Sequence, residues 1–142
     1  MGVTDITVKF TIPGAPVGKG RPRVTRHGTY TPQKTRDYER LVRCKYAEDA
    51  KNYRFPDDAA LAMMVFAYYP IPASATKRRR EAMEAGAEFP TKRPDFDNVA
   101  KLASDALNGI AYKDDAQIVR AVVCKVYDKE PRVEVYISEV GK

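Results

Sequence analysis

The sequence predicts an α+β fold, a single domain over residues 1–142 in which helices pack on a mixed β-sheet. Three observations predict it. The chain has 142 residues, the length of one domain at roughly 100–200 residues each. Segments of period two alternate along it with segments of helical period. One segment, Ala60–Tyr69, is apolar on both faces, as a strand in the middle of a sheet must be. The order strand, helix, strand, helix, helix and a closing strand pair joins its strands by different routes, the pattern of a mixed sheet.

Each element follows from local chemistry. In Thr4–Ile12, Ile6, Val8, Phe10 and Ile12 share one face and Asp5, Thr7, Lys9 and Thr11 the other, so this is a half-buried strand. Pro13-Gly14-Ala15-Pro16 ends it, and Gly18-Lys19-Gly20-Arg21-Pro22-Arg23 forms a loop of turn formers and cations. Lys34–Lys51 sets Tyr38, Leu41, Val42, Tyr46 and Ala50 at helical spacing. Pro70 and Pro72 end the central strand. Ser74 is placed to cap a short helix, Ala75–Ala85, that stops at Gly86. Asp95–Leu107 is a helix with Phe96, Val99, Ala100, Ala103, Ala106 and Leu107 on its apolar side, closed by Asn108-Gly109. Tyr112–Asp115 is a turn. Gln117–Tyr127 and Arg132–Ser138 form an antiparallel pair joined through Asp128–Pro131, with Val133, Val135 and Ile137 facing inward.

Composition removes several function classes. No stretch approaches the ~18 apolar residues of a membrane span, and Met1–Phe10 carries Asp5 and Lys9 in place of an apolar signal core. Cys44 and Cys124 make no disulfide framework, so a cytoplasmic protein with reduced thiols is expected. With His27 the only histidine, a four-ligand Cys/His zinc site is excluded and a Ser-His-Asp or Cys-His centre disfavoured. Any metal must sit on carboxylates. The net charge of +6 is uneven: residues 1–50 carry +5, and Pro13–Tyr46 holds nine basic residues against Asp37 and Glu39. A focused basic region points to a polyanion, usually nucleic acid. Tyr30, in that region, is a better candidate for stacking on a base than Tyr68 or Tyr69, whose strand setting points to the core. The Lys77-Arg78-Arg79-Arg80 run reads equally as a phosphate contact or a solvated helix face.

The acidic residues form the second constellation. Asp95 and Asp97 flank Phe96 at a helix start, where a cap accounts for Asp95. Capping does not account for Asp97, Lys101 and Asp105, which line one stripe at i, i+4, i+8, or for Asp114 and Asp115, whose turn is able to fold back toward the start of that helix. Clustered carboxylates raise one another's pKa, and a hard divalent cation such as Mg²⁺ or Mn²⁺ removes that penalty. The competing interpretation is a cap, an Asp97–Lys101 surface pair and a solvent turn. An EF-hand loop fails, because its sixth and twelfth positions would be Ala100 and Ala106. A cation on these carboxylates, Lys101 one turn away, and cations at Lys19, Arg21, Arg23, Arg93 and Lys77–Arg80 together suit phosphodiester hydrolysis.

Arg93-Pro94-Asp95-Phe96-Asp97-Asn98, Lys101, Asp105-Ala106-Leu107 and Tyr112-Lys113-Asp114-Asp115-Ala116-Gln117-Ile118 resemble the RusA family of Holliday-junction resolvases. The match includes every polar member of the family's D-x-D-N-x-x-K and D-D-x-Q-[IV] pattern. The resemblance implies a homodimer that binds branched DNA, a four-way junction, and makes two symmetric nicks with a Mg²⁺-dependent site in each subunit. It implies Asp95, Asp97 and Asp115 as metal-binding catalytic carboxylates and Asp114 as a further acidic position. Lys101 matches the catalytic lysine and Asn98 the asparagine beside the metal. Pro94 stands where some members carry an arginine, and Arg93 supplies that cation one residue earlier. Lys19, Arg21, Arg23, Arg93, Asn98, Lys77 and Arg78 are the expected DNA contacts. The alternative is a branched-DNA binding module of the same fold that does not cut.

Overall fold

The computed structural model describes residues 6–20, 23–30 and 32–141, with the side chains of Arg23 and Tyr30 outside the description. The elements are β1 (Thr7–Pro13), β2 (Arg23–Thr25), β3 (Gly28–Tyr30), α1 (Gln33–Ala50), β4 (Leu61–Pro70), α2 (Lys77–Glu84), α3 (Phe96–Ala106), β5 (Ile118–Asp128) and β6 (Arg132–Glu139). Four strands form a mixed sheet in the order β1-β6-β4-β5, and β2 with β3 forms a separate hairpin. That hairpin, which turns through Arg26-His27, was not expected from the sequence: three-residue strands are too short to show a period.

The expected pairing of β5 with β6 is corrected. β6 lies antiparallel between β1 and β4, while β5 pairs β4 in parallel on its other side. The two strands do run in opposite directions, but β4 stands between them. The physical cause is the apolar character of β4 itself. Leu61, Met63, Val65, Ala67 and Tyr69 are each at most 2% exposed, and a strand so buried requires ladder partners along both edges. Lys129-Glu130-Pro131 then only has to pass the end of β4, two strand spacings or about 9–10 Å.

One face of the sheet carries the core. Phe10 and Ile12 of β1, the odd-numbered positions of β4 from Leu61 to Tyr69, and Val133, Val135 and Ile137 of β6 pack against Val42 and Tyr46 of α1 and Val99, Leu102 and Ala103 of α3. Phe10 meets Tyr46 edge to face at 5.2 Å, a favoured aromatic geometry. α2 starts later than expected. Thr76, not Ser74, is its cap, with the Arg79 amide donating to Thr76 Oγ1 at 3.2 Å. Among the described residues no helix is long and apolar enough to cross a membrane.

Candidate functional site: an acidic cleft beside a cationic one

α3 positions most of the site. Its apolar stripe, Val99, Leu102, Ala103 and Ala106, is buried and fixes the rotation of the helix. The opposite requirement then falls on Asp97, Lys101 and Asp105, which line a cleft of about 660 Å³ between α3 and the edge strand β5. Asp115 completes the acidic side. It arrives on a 3-10 turn, Asp115–Gln117, where Asp115 meets Asp105 and Asn108 near the end of α3 and shares the cleft with Asp97 at its start.

That turn is built to hold its place. Asp114 is its N-cap, with the Ala116 amide donating to Asp114 Oδ2 at 3.3 Å, and Gln117 closes a capping box. The Asp115 amide donates to Asn108 Oδ1 at 2.8 Å. Gln117 does more than cap: its Oε1 accepts from the Lys113 and Asp114 amides, and its Nε2 donates to the carbonyls of Pro56 and Ala59, each at 3.0 Å. Gln117 therefore clamps the Asp115 turn to the loop that precedes β4. Its place in the sequence pattern was visible, but its role depends on a loop some sixty positions away. Behind the turn, the buried Tyr112 hydroxyl donates to the Ser104 carbonyl at 2.7 Å.

The carboxylates feel one another. Burial pushes the Asp115 carboxyl above the ordinary range, and a contact with Asp105 and the charge of Asp114 push it further. Asp105 is the residue that sequence reasoning left without a role. Helical spacing sets it on the acidic stripe, but nothing local announces its partner, Lys19, whose ammonium donates to Asp105 Oδ2 at 2.5 Å across 86 positions of sequence.

Lys19 joins this cleft to a second one, of about 900 Å³, lined by Lys19, Lys34, Arg93, Asp95 and Asn98 among others. Its basic loop is pinned at two adjacent amides. The Gly20 amide donates to Oγ1 of the buried Thr35 at 3.0 Å, and the Lys19 amide donates to the Asn98 carbonyl at 3.4 Å. Gly18 permits the close approach: a Cβ there would stand 2.9 Å from Pro94 Cβ. Asp95 opens on this cationic cleft and not on the acidic one. It occupies the N-cap position of α3 but its side chain makes no capping hydrogen bond, which corrects the expectation of a simple cap. Its charge helps burial hold the nearby Tyr69 hydroxyl up at about 12, and that hydroxyl donates to the Pro94 carbonyl.

The remaining expected contacts are dispersed. Lys77 and Arg78 are exposed on α2 and line neither cleft, while Arg79 of the same run is held by Glu88 at 2.6 Å. Arg21 and the side chains of Arg23 and Tyr30 lie outside the described residues. Phe96 corrects another expectation. Helical phase sets it on the apolar side of α3, yet it is 61% exposed and lines the open acidic cleft.

Hard carboxylate oxygens are the donor set a divalent cation prefers, and Asp97, Asp105 and Asp115 line one cleft, so the residues fit such an ion by their chemistry. Among the described residues, no three carboxylate, imidazole or thiolate groups stand close enough to enclose one.

The family model for endodeoxyribonuclease RusA matches residues 13–138. An uncharacterized protein of Bacillus subtilis (strain 168), YqaN, is 37% identical over 138 residues, covering 94% of this chain and 97% of its own length. The crossover junction endodeoxyribonuclease of Lactococcus phage r1t is 41% identical over 54 residues, covering 37% of this chain and 41% of the phage protein. The matched span contains both clefts and every element except part of β1 and the last residue of β6, and on that evidence the chain belongs to the RusA endodeoxyribonuclease family.

Proposed function

We propose that the protein is a divalent-metal-dependent endodeoxyribonuclease that resolves four-way DNA junctions, cutting as a cytoplasmic homodimer with one nick from each subunit, in DNA recombination and repair. The observation that carries the proposal is the junction of two unlike clefts on one helix. Asp97, Asp105, Asp115 and Lys101 line one, and Lys19, Lys34 and Arg93 line the other. A phosphodiester needs cations along its backbone and a metal-holding acidic centre at the scissile phosphorus.

In this proposal Asp95, Asp97 and Asp115 would hold Mg²⁺, or Mn²⁺ in its place, with Asp114 as a further acidic position. When bound, the ion supplies Lewis-acid polarisation of the phosphoryl oxygen and lowers the pKa of a water. The chain's own residues do the rest. Lys101, exposed on the acidic stripe, places its ammonium where charge develops on the leaving oxygen. Lys19 balances Asp105 and so limits the repulsion the cluster imposes on a phosphate. Arg93, Lys34 and the basic loop, including Arg21 and Arg23, hold the strand on either side, and Asn98 anchors that loop through its carbonyl. Lys77 and Arg78 on α2 contact a more distant arm.

The second proposal is a branched-DNA binding module that does not cut. It is favoured by the absence of a closed three-carboxylate cage among the described residues. One experiment separates the two. A synthetic four-way junction and a linear duplex of the same sequence are incubated with the protein in Mg²⁺ and in EDTA, beside Asp97→Asn. Paired, metal-dependent nicks on the junction, lost in the variant while junction binding persists, are expected. Tight junction binding without nicks in Mg²⁺ or Mn²⁺ would establish the binding module, and undiminished cutting by Asp97→Asn would remove the acidic cleft from the mechanism.

A further inference from the structure

The acidic cleft has a second wall that the hydrolytic chemistry does not use. Beside Asp97, Asp105 and Asp115 its lining holds Phe96 and Ala100 of α3, the buried Met63 of β4, and Ile118, Ala121 and Val123 of β5. Phe96 is 61% exposed although it sits between two aspartates that the proposed function requires. An exposed aromatic ring beside an uncovered apolar wall is unfavourable in the free protein and points to a ligand. The carboxylates already on that cleft restrict which ligand it is. A second purely apolar surface laid across the cleft would desolvate Asp97 and Asp115 without partners, which is costly. A nucleotide fits both halves, because its phosphate belongs with the acidic, metal-holding side and its base is joined to that phosphate through a single sugar.

We propose that Phe96 and the apolar wall of the cleft take one unstacked nucleobase adjacent to the scissile phosphate, with the Phe96 ring stacking on it. The inference rests on the nuclease function and adds to it a source of structure selectivity. In linear duplex the adjacent base is paired and stacked, and freeing it costs a few kcal/mol, whereas at a branch point the bases have already lost part of their stacking. Every base has a π-face, so the contact selects for strand geometry rather than for sequence. Phe96 also becomes a binding residue in its own right, distinct from the flanking Asp95 and Asp97.

The test uses Asp97→Asn protein, so that no cutting intervenes, with and without Phe96→Ala or Phe96→Leu. The probes are a four-way junction carrying 2-aminopurine at the branch point and a linear duplex carrying it at the same sequence position. Phe96→Ala is expected to weaken junction binding about tenfold, the scale of one lost base–aromatic stack, and to abolish the rise in 2-aminopurine emission on binding. Duplex affinity should not change. Phe96→Leu should retain part of the affinity and lose the emission change, which separates stacking from simple apolar packing. Junction binding with the same affinity and emission in Phe96→Ala would overturn this inference alone. Sedimentation of Phe96→Ala as a monomer, where the parent is a dimer, would also overturn it and assign Phe96 to a contact between copies of the chain. Failure of the parent protein to bind the junction would overturn this inference and the nuclease proposal together.

Discussion

Replacing Lys19 by Met should destabilise the folded protein before any DNA is added. Lys19 Nζ and Asp105 Oδ2 are 2.5 Å apart, and the side chains are 25% and 21% exposed. Exposed ion pairs contribute about 0.2–1 kcal/mol, while a hydrogen bond to a charged group, shielded from water, contributes about 1.5–3 kcal/mol. With roughly three-quarters of each side chain covered, this pair belongs near the lower part of the second range. Met keeps the apolar stem of the lysine and deletes only its charge. It leaves Asp105 facing Asp115 without compensation. We expect a loss of about 2 kcal/mol, or a fall in Tm of about 4–8 °C for a chain of this size. Asp105→Asn should cost less, about 1 kcal/mol, because it strands Lys19 but also removes a repulsion that now raises the Asp115 carboxyl. Urea denaturation of both single variants and the double variant gives the coupling, expected at about 1–2 kcal/mol. A coupling below about 0.3 kcal/mol, or Asp105→Asn proving the more damaging change, would refute the claim that Lys19 neutralises an overcharged cleft.

Two further perturbations follow from the same geometry. Asp115→Asn should raise Tm in EDTA, since the charged carboxylate is disfavoured in the fold by burial and by Asp105. Because the folded pKa lies above the unfolded one, this penalty is absent below the ordinary aspartate range, grows as pH rises from the unfolded to the folded pKa, and is full above the latter. Equal or lower Tm for Asp115→Asn at pH 7, measured by calorimetry in EDTA, would contradict that account. Gly18→Ala places a Cβ 2.9 Å from Pro94 Cβ and 3.2 Å from Asn98 Cβ. The basic loop must then lift from the start of α3, with a loss of about 1–3 kcal/mol and weaker junction binding, whereas a variant with the stability and affinity of the parent would show that the loop is not seated there.

Local periodicity was enough to place α1, β1, β4 and α3 to within a few residues, because each carries its burial pattern in its own sequence. The i, i+4, i+8 spacing of Asp97, Lys101 and Asp105 likewise needed only the helical repeat, and their common cleft follows from it. Caps were less legible. Ser74 and Thr76 offer similar hydroxyls, and only the backbone decides which one meets the Arg79 amide. The position of Phe96 shows the limit of helical phase: its angle on α3 matches the apolar stripe, but the cleft between α3 and β5 leaves it uncovered.

The sequence by itself determined the fold class, the basic first third and the acidic stripe, since these are properties of composition and of spacing within one element, and its resemblance to the RusA family lies in a motif pattern read along the chain. Tertiary structure alone decided that β4 separates β5 from β6, that Lys19 pairs with Asp105, that Gln117 clamps the Asp115 turn to Pro56 and Ala59, and that Asp95 and Asp97 open on different clefts. The physical reason is common to all four. Each depends on which groups, distant in sequence, compete best to cover an apolar strand, a buried carboxylate or an unpaired carbonyl, and that competition is settled only when the whole chain packs.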